Sequence, residues 1–462
     1  MLAFALRLSF LIIIFHLLVL SLRLADTTAA APPYNATESF LLSCGAPSKS
    51  SSQDGRDWDT DNHYLQFMPT NTANISFPAT TEQGPLVSQV PFTTARVFTS
   101  DLTYSFRVSP GQKFLRLYFY PGGFNMTDFF FTVTANNYTL LRNFSAFLTV
   151  SSPDPFIFSP DSFIKKEFIV NVDEKQQLNL TFSPSPYAFV NGIEIVSMPS
   201  DLYFSDNNNN YPIQFDNSTT LETLYRLNVG NRHLGPKDDT GMFREWSVDD
   251  NYVVDPKYQT PFLAVPVYYT NQTPAYTAPD IVYTSARTMD RSNKNGLFWL
   301  FPVDAGFFYL FRFYFCEFAL EIKAVNQRVF SIEINNEMVE DEVDVIDQSG
   351  GPEVPIMKDY VVFVPDPDGR RSKQNVSLSL RPSMKEKPEY FNAILNGLEI
   401  FKLNDSAGSL AVPNPNVDPE IPATPPPEKK GKKGLSRNDH TKDGRIRRVP
   451  SAVGTLPTFL TG

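Results

Sequence analysis

The sequence predicts an all-β protein built as two tandem antiparallel β-sandwiches, and three observations predict it. Two segments nearly 200 residues apart repeat one pattern. TTARVFTS (93–100) and FLRLYFYPGGF (114–124) return as YTSARTMD (283–290) and YLFRFYFCEF (309–318), so Arg96 matches Arg287 and Arg116 matches Arg312. Each copy closes alike, on LNLTFSPSPYAFVNGIEIV (178–196) and on VSLSLRPSMKEKPEYFNAILNGLEIF (376–401). Blocks kept in order at a nearly constant offset imply a duplicated domain, and the period is too long for a solenoid. Within each copy the local runs, such as FLRLYFY, DFFFTVT, LNLTF, RVFSIEI and YVVFV, are short, aromatic and β-branched, which is strand chemistry. Finally, turn dipeptides punctuate them: Pro110-Gly111, Gly122-Gly123, Asp368-Gly369 and Asn396-Gly397.

The elements follow in chain order. Arg7, then the apolar run LSFLIIIFHLLVL (8–20), then small residues ending at Ala29, Ala30 and Ala31 read as a signal peptide over residues 1–30, too short an apolar run for a spanning helix. The first sandwich is expected over 38–200 and the second over 211–404. The segment 201–210, with its polar run SDNNNN, forms the joint, since that run has nothing apolar to bury. In FLRLYFY, Leu115, Leu117 and Phe119 point one way and Phe114, Arg116, Tyr118 and Tyr120 the other, so both faces of that strand should be covered. One helix is predicted near 219–225: Thr219 caps it, Glu222 completes a capping box, and Leu221, Leu224 and Tyr225 share a face. Long strand series with so little helix give sandwiches. From 405 to 462 the chain becomes rich in proline and lysine and is expected to be a disordered tail, with a basic run through Arg445, Arg447 and Arg448.

Composition limits function. The mature chain is about 430 residues, enough for two cores. Phe at 40 and Tyr at 20 supply them. Two cysteines, Cys44 and Cys316, exclude a disulfide-dense scaffold; they either pair once or stay as buried thiols. A net charge of -10 opposes nucleic-acid binding. Asn-x-Ser/Thr triplets stand at Asn35, Asn74, Asn125, Asn137, Asn143, Asn179, Asn217, Asn271, Asn375 and Asn404, a credible glycan shell for an exported chain. The histidines are His16, His63, His233 and His440, and HExxH, CxxC and GxSxG are absent, so no catalytic or cofactor site is assigned.

Several clusters remain as candidates. Asp54, Asp57, Asp59 and Asp61 could offer oxygen ligands to calcium, with an ordinary polar loop as the alternative. Trp58, Tyr64, Phe67, Tyr118, Tyr120 and Phe124 could form a sugar platform, or simply be core. FREWSVDDNYV (243–253) stands where the first copy has GRDWDTDNHYL (55–65), so Trp246 matches Trp58 as a packing post. Arginines inside apolar strands need carboxylates; Asp101, Glu194, Glu317 and Glu399 are the candidate partners. The acidic run Glu337, Glu340, Asp341, Glu342, Asp344 and Asp347 has the right sign for a basic peptide, and the cleft between the two sandwiches is a natural binding place. Arg56, Arg96, Lys113 and Arg142 are the candidates for binding an acidic polysaccharide.

Taken in order, SCG (43–45), DGRDW (54–58), TTARVFTS, FLRLYFYP, LLRNFS (140–145), NGIEIVSMP (191–199), ETLYRLNVG (222–230), FREW (243–246), YTSAR, YLFRFYFCEF, NQRVFSIEI (326–334) and LNGLEIFKL (395–403) resemble the ectodomain of the plant malectin-like receptor kinases, the group of FERONIA, ANXUR and THESEUS. The resemblance implies two tandem malectin-like sandwiches outside the cell. It implies partners as well: secreted cysteine-rich peptides of the rapid-alkalinization type, a lipid-anchored co-receptor, and pectin of the cell wall. A membrane anchor and a Ser/Thr kinase are expected in full-length relatives; kinase motifs are not found in this sequence. Glu340, Asp341 and Glu342 become the candidate peptide or co-receptor surface. The family generally lacks animal malectin's full sugar-binding set, so no glucose site is implied. A soluble carbohydrate-binding module and a kinase-less decoy are the alternative readings.

Overall fold

In the computed structural model the described residues are 34–66, 77–80, 87–122, 128–152, 163–200, 202–203, 218–289, 296–385 and 388–415. The leader (1–30), Phe67, Phe124, Asn74, Asn125, Asn217, the SDNNNN run and the tail beyond 415 lie outside them.

The first lobe contains β1 (Ser39–Ser43), β2 (Asp57–Thr60), β3 (Leu102–Arg107), β4 (Gly111–Phe119), β5 (Phe131–Ala135), β6 (Tyr138–Phe144), β7 (Ile164–Val172), β8 (Gln177–Pro184) and β9 (Gly192–Ser197). The second contains β10 (Leu221–Asn228), β11 (Ser247–Val248), β12 (Leu297–Asp304), β13 (Phe307–Phe315), β14 (Phe330–Ile334), β15 (Glu337–Val343), β16 (Ile356–Val364), β17 (Lys373–Pro382) and β18 (Gly397–Leu403). Each lobe packs two mostly antiparallel sheets face to face. In the first, β2-β1-β9-β4-β7 faces β6-β5-β8-β3. In the second, β10-β18-β13-β16 faces β12-β17-β14-β15. Alternation places the cores. Leu115, Leu117 and Phe119 of β4 enter the first core with Phe168, Phe182 and Ile195, and Phe311, Phe313 and Phe315 of β13 enter the second with Phe330, Leu378 and Ile400.

The two cores are distinct, yet the lobes are not beads on a string. The β7 strand of the first lobe pairs with β10 of the second, Phe168 opposite Glu222 and Ile169 opposite Leu221, so one 11-stranded sheet runs through both. A third apolar cluster seals the seam on one face: Phe114, Ile169, Val196, Leu202, Tyr203, Leu221, Met242, Leu310 and Phe401. Leu202 and Tyr203, which the sequence places in the joint, are 1% and 3% exposed there. The seam is therefore filled where the sequence suggested a cleft.

The predicted helix at 219–225 is a strand. Leu221–Asn228 is flanked by β7 on one edge and by β18 on the other, with Arg226 opposite Glu399 and Asn228 opposite Gly397. Its local capping signals lose to these nonlocal pairings. The helices that do occur are short, Ala146–Val150 and Val345–Ser349 among them, N-capped by Ser145 and Asp344. Gly397 is not a hairpin turn either. Asn396-Gly397 and its match Asn191-Gly192 sit where the backbone passes close under a side chain: a Cβ at Gly192 would lie 2.7 Å from the Pro91 ring, and one at Gly397 2.6 Å from Val282. The chain also stays ordered past 404. Residues 405–415 return to the first lobe, Ser409 bridges Thr139 of β6, and Leu410 enters the first core.

Candidate functional site

The repeated arginines build the same knot twice. In the first lobe Asp61 accepts Arg96 Nε at 2.9 Å and Nη2 at 2.6 Å, the Tyr104 hydroxyl at 2.8 Å, and the N–H of Gly45 at 3.1 Å. In the second, Asp249 accepts Arg287 Nε and Nη2 at 2.7 Å each, the Trp299 indole at 2.8 Å, and the N–H of Gly230 at 2.9 Å. Gly45 and Gly230 hold φ of 73° and 72°, which glycine tolerates best, and so aim their N–H at the carboxylate. The Asn191 and Asn396 side chains form a second matched pair. Each accepts a backbone N–H (Tyr120, Cys316) and donates to backbone carbonyls, Thr94 in one lobe and Tyr283 and Ser285 in the other. Trp58 packs edge-on to Tyr118, and Trp246 to Tyr314, each at 5.4 Å.

Across the continuous sheet these parts join into one row of alternating charge. Glu194 (β9), Arg116 (β4), Glu167 (β7), Arg226 (β10), Glu399 (β18), Arg312 (β13) and Asp359 (β16) follow one another strand by strand. Arg116 donates to Glu194 at 2.7 Å and to Glu167 at 2.6 Å. Glu167 also takes Arg226 at 2.8 Å, across the lobe boundary. Arg226 continues to Glu399, and Arg312 grips Asp359 with two bonds of 2.8 and 2.6 Å. Burial pushes the Glu167 carboxyl up, but Arg226 and Arg116 outweigh it and leave it well below the ordinary glutamate value. A second ionic row crosses the same boundary: Lys166 to Glu222 (2.7 Å), Glu222 to Lys402 (2.6 Å), Lys402 to Asp304 (3.1 Å) and Asp304 to Lys373 (2.8 Å). Of the expected partners, Glu194 holds Arg116 and Glu399 holds Arg226. Arg312 goes to Asp359 instead of Glu317, which pairs with Arg328. Asp61 and Asp249 were missed as partners, although Trp-x-x-Asp stands in both copies.

The polysaccharide candidates are dispersed. Arg96 is held by Asp61, Lys113 is 2% exposed beside Glu38, and Arg56 is tied to Asp54 and Glu194. Arg142 alone among the four is open to solvent. Trp58, Tyr118 and Tyr120 are buried, so they form core and no sugar platform. The four aspartates do not converge: Asp61 is inside its knot, Asp54 binds Arg56, and Asp57 and Asp59 face Lys49. Cys44 and Cys316 are separate buried thiols.

Glu340, Asp341 and Glu342 lie on β15, the last strand of its sheet. Glu340 accepts Lys358 Nζ at 2.6 Å and the Tyr360 hydroxyl, Asp341 faces Lys385 at 2.9 Å, and Glu342 is exposed. Among the described sequons, Asn35, Asn137, Asn143, Asn271 and Asn375 are exposed, while Asn179 and Asn404 are half-buried. An open polar groove of about 990 Å³ in the first lobe is lined by Tyr138, Asp173, Lys175 and two sequon residues, Asn137 and Asn179. Glycans there would occupy the space a ligand needs.

Comparison with known proteins matches this architecture. The Malectin-like domain family model matches residues 42–403. The receptor-like protein kinase FERONIA of Arabidopsis thaliana is 43% identical over 431 residues, covering 88% of this chain and 47% of that protein. ANXUR2 of the same plant is 34% identical, covering 84% of this chain and 46% of that protein. The chain thus spans about half the length of the curated relatives it matches. Among solved structures, plant receptor-like kinase FER gives a TM-score of 0.73 at 43% identity, covering 82% of this chain and 99% of that one. The ANX2 ectodomain of Arabidopsis thaliana gives 0.73 at 34%, covering 82% and 100%. FER in complex with the plant peptide RALF23 and LLG2 gives 0.73 at 42%, covering 83% and 99%.

Proposed function

The chain belongs to the malectin-like domain family, in the branch of the FERONIA, ANXUR and THESEUS receptor kinases, and from that premise we propose that it is an extracellular ligand-recognition region of a plant receptor-like kinase. Its ligand is a secreted cysteine-rich peptide of the RALF type, taken together with a lipid-anchored co-receptor. The observation that carries this reading is the likeness to the FER chain that forms an assembly with RALF23 and LLG2, which extends over 83% of this chain. The interior supports it. Carboxylates and arginines are paired inside the sheet, so the chemistry left for a partner lies at strand edges and loops. Glu340, Asp341 and Glu342 offer negative charge on such an edge, suited to a basic peptide.

The test is a titration of the secreted chain with RALF23, with and without LLG2, by calorimetry. Binding in the micromolar range or tighter, strengthened by LLG2, is expected. Absence of binding in both arms would refute the reading. Asp341→Lys with Glu342→Lys should weaken binding several-fold at low salt; Glu340 is left intact because it also anchors Lys358. The carbohydrate reading has less support, since Trp58, Tyr118 and Tyr120 are buried and only Arg142 of the four basic candidates is open.

A further inference from the structure

The duplication lets one lobe report on the other. In the first lobe, two strand edges on the same side of the sandwich are covered by the second lobe. The β7 edge takes β10 through Phe168 opposite Glu222 and Ile169 opposite Leu221. The β6 edge takes the returning segment: Thr139 donates to the Gly408 carbonyl at 3.0 Å, Leu410 donates to the Thr139 carbonyl at 2.9 Å, and the Asn414 side chain receives the Ser145 N–H at 2.9 Å. The matching strands of the second lobe are β16 and β15. Ile164 opposite Phe119 in one lobe corresponds to Ile356 opposite Phe315 in the other. The β5–β6 and β14–β15 hairpins both turn through asparagine in the left-handed region, at Asn136 and at Asn335 and Asn336, and both lead into a short capped helix. Yet β16 ends its sheet and β15 ends the facing one. Among the described residues no strand pairs with the outer edge of either.

We propose that this paired edge of the second lobe, β15 with β16, is a docking site that takes an extended, basic polypeptide segment by strand addition. The inference rests on the peptide-recognition reading above and assigns it a place and a mode. Strand addition supplies affinity through main-chain hydrogen bonds and specificity through alternate side chains. Exposed edges of this kind are otherwise a hazard that folds cover or blunt. The charge selects the occupant. Glu337, Asp341 and Glu342 are exposed on β15, whereas Asp359, which lies on β16 where the first lobe has Glu167, is already engaged by Arg312 through both oxygens. Apolar contact comes from Phe363, 50% exposed and in ring contact with Phe308, and from Met338, 59% exposed. A segment alternating Lys or Arg with apolar residues matches both.

A second copy of this chain fits poorly. The strand it would offer by analogy with β10 is the segment leading into β1. From residue 34 to 38 that segment contains no Lys or Arg to meet the acidic edge, and it carries the exposed sequon Asn35.

The test uses the full secreted chain and RALF23 as probe. Amide hydrogen exchange should slow in 337–343 and 356–364 when the peptide is added. Phe363→Asn together with Pro365→Thr places a glycan on the edge at an exposed position, and should weaken binding about tenfold or more. Glu342→Lys, which leaves every ion pair described above in place, should weaken it about threefold to tenfold at low salt and less at high salt. Binding that protects other segments and ignores both variants would overturn the edge proposal while the peptide reading stands. No binding by the unaltered chain would overturn both. Self-association of the chain that the edge glycan abolishes would overturn the basic peptide as occupant in favour of a second copy.

Discussion

Glu167→Gln tests whether the two lobes are locked by charge. Glu167 sits on β7 and is shared by Arg116 at 2.6 Å from its own lobe and Arg226 at 2.8 Å from the other, with the Thr223 hydroxyl at 2.7 Å completing its shell. Neutralising it leaves Arg116 with Glu194 and Arg226 with Glu399, each fully buried and short of one counter-charge. Removing one partner of such a buried set costs about 3–5 kcal/mol. With an unfolding entropy near 2.1 cal/mol/K per residue, the roughly 330 described residues imply a loss of about 4–7 °C of Tm. Differential scanning calorimetry reads this directly, and a continuous sheet predicts a single cooperative transition for both lobes. The cycle with Arg226→Met sharpens the argument. The double variant removes both halves of the cross-lobe bond, so its loss should fall short of the sum of the single losses by about 0.5–3 kcal/mol. A Glu167→Gln Tm within about 1 °C of the unaltered chain, or strictly additive losses, would refute the lock.

Three further outcomes follow from the same geometry. Mass spectrometry of deglycosylated peptides should find glycans at Asn35, Asn271 and Asn375, which are exposed, and none at Asn404, whose Oδ1 accepts the Thr220 N–H at 2.6 Å and whose Nδ2 donates to the Asp405 carbonyl at 3.0 Å. A thiol reagent should label neither Cys44 nor Cys316 in the native chain and both after unfolding, because burial pushes both thiols up and denies access. Stability should hold from pH 7 to 5 and fall below about pH 4. Burial pushes the carboxyls of Glu167, Glu194, Glu222, Asp239 and Asp304 up, but their cationic partners outweigh it and leave each below its ordinary value. Such groups favour the fold above their unfolded values and lose that contribution as pH drops through the folded ones. Glu317 runs the other way, since burial outweighs Arg328 and raises it. A Tm that rises on acidification below pH 4 would contradict the balance.

The sequence shows what repeats and hides what closes at a distance. Arg116 and Arg312 announced themselves as charges inside aromatic strands, and Trp58 and Trp246 as matched posts, because identity and spacing survive in both copies. The strand at Leu221–Asn228 did not. LETLYRLN is rich in good helix formers, and the pairing of β7, β11 and β18 along its edges makes it extended. The returning segment was equally hidden. Prolines around 413–419 read as an unstructured tail, and nothing local tells that Leu410 reaches the first core. Surface candidates fared worst: Arg96 and Lys113 look alike to Arg142 in sequence, and only the fold separates buried ion pairs from an open cation.

The lobes keep one interior and differ at their margins, and the difference has a direction. Opposite Glu194 on β1 stands Leu41; opposite Glu399 on β10, at the matching register, stands Arg226. That arginine reaches over the boundary to Glu167, a carboxylate with one arginine of its own lobe and room for a second. At the far edge the corresponding acid is the shorter Asp359, whose two oxygens are both engaged by Arg312. An edge carboxylate that still needs a cation makes its junction obligate, since separation would strand a buried charge. One already satisfied at home costs little to leave in water, and gains little more from a partner. The internal seam is therefore permanent, and binding at β15 and β16 should be reversible, carried by main-chain pairing and by the exposed acids Glu337, Asp341 and Glu342, with Asp359 contributing little.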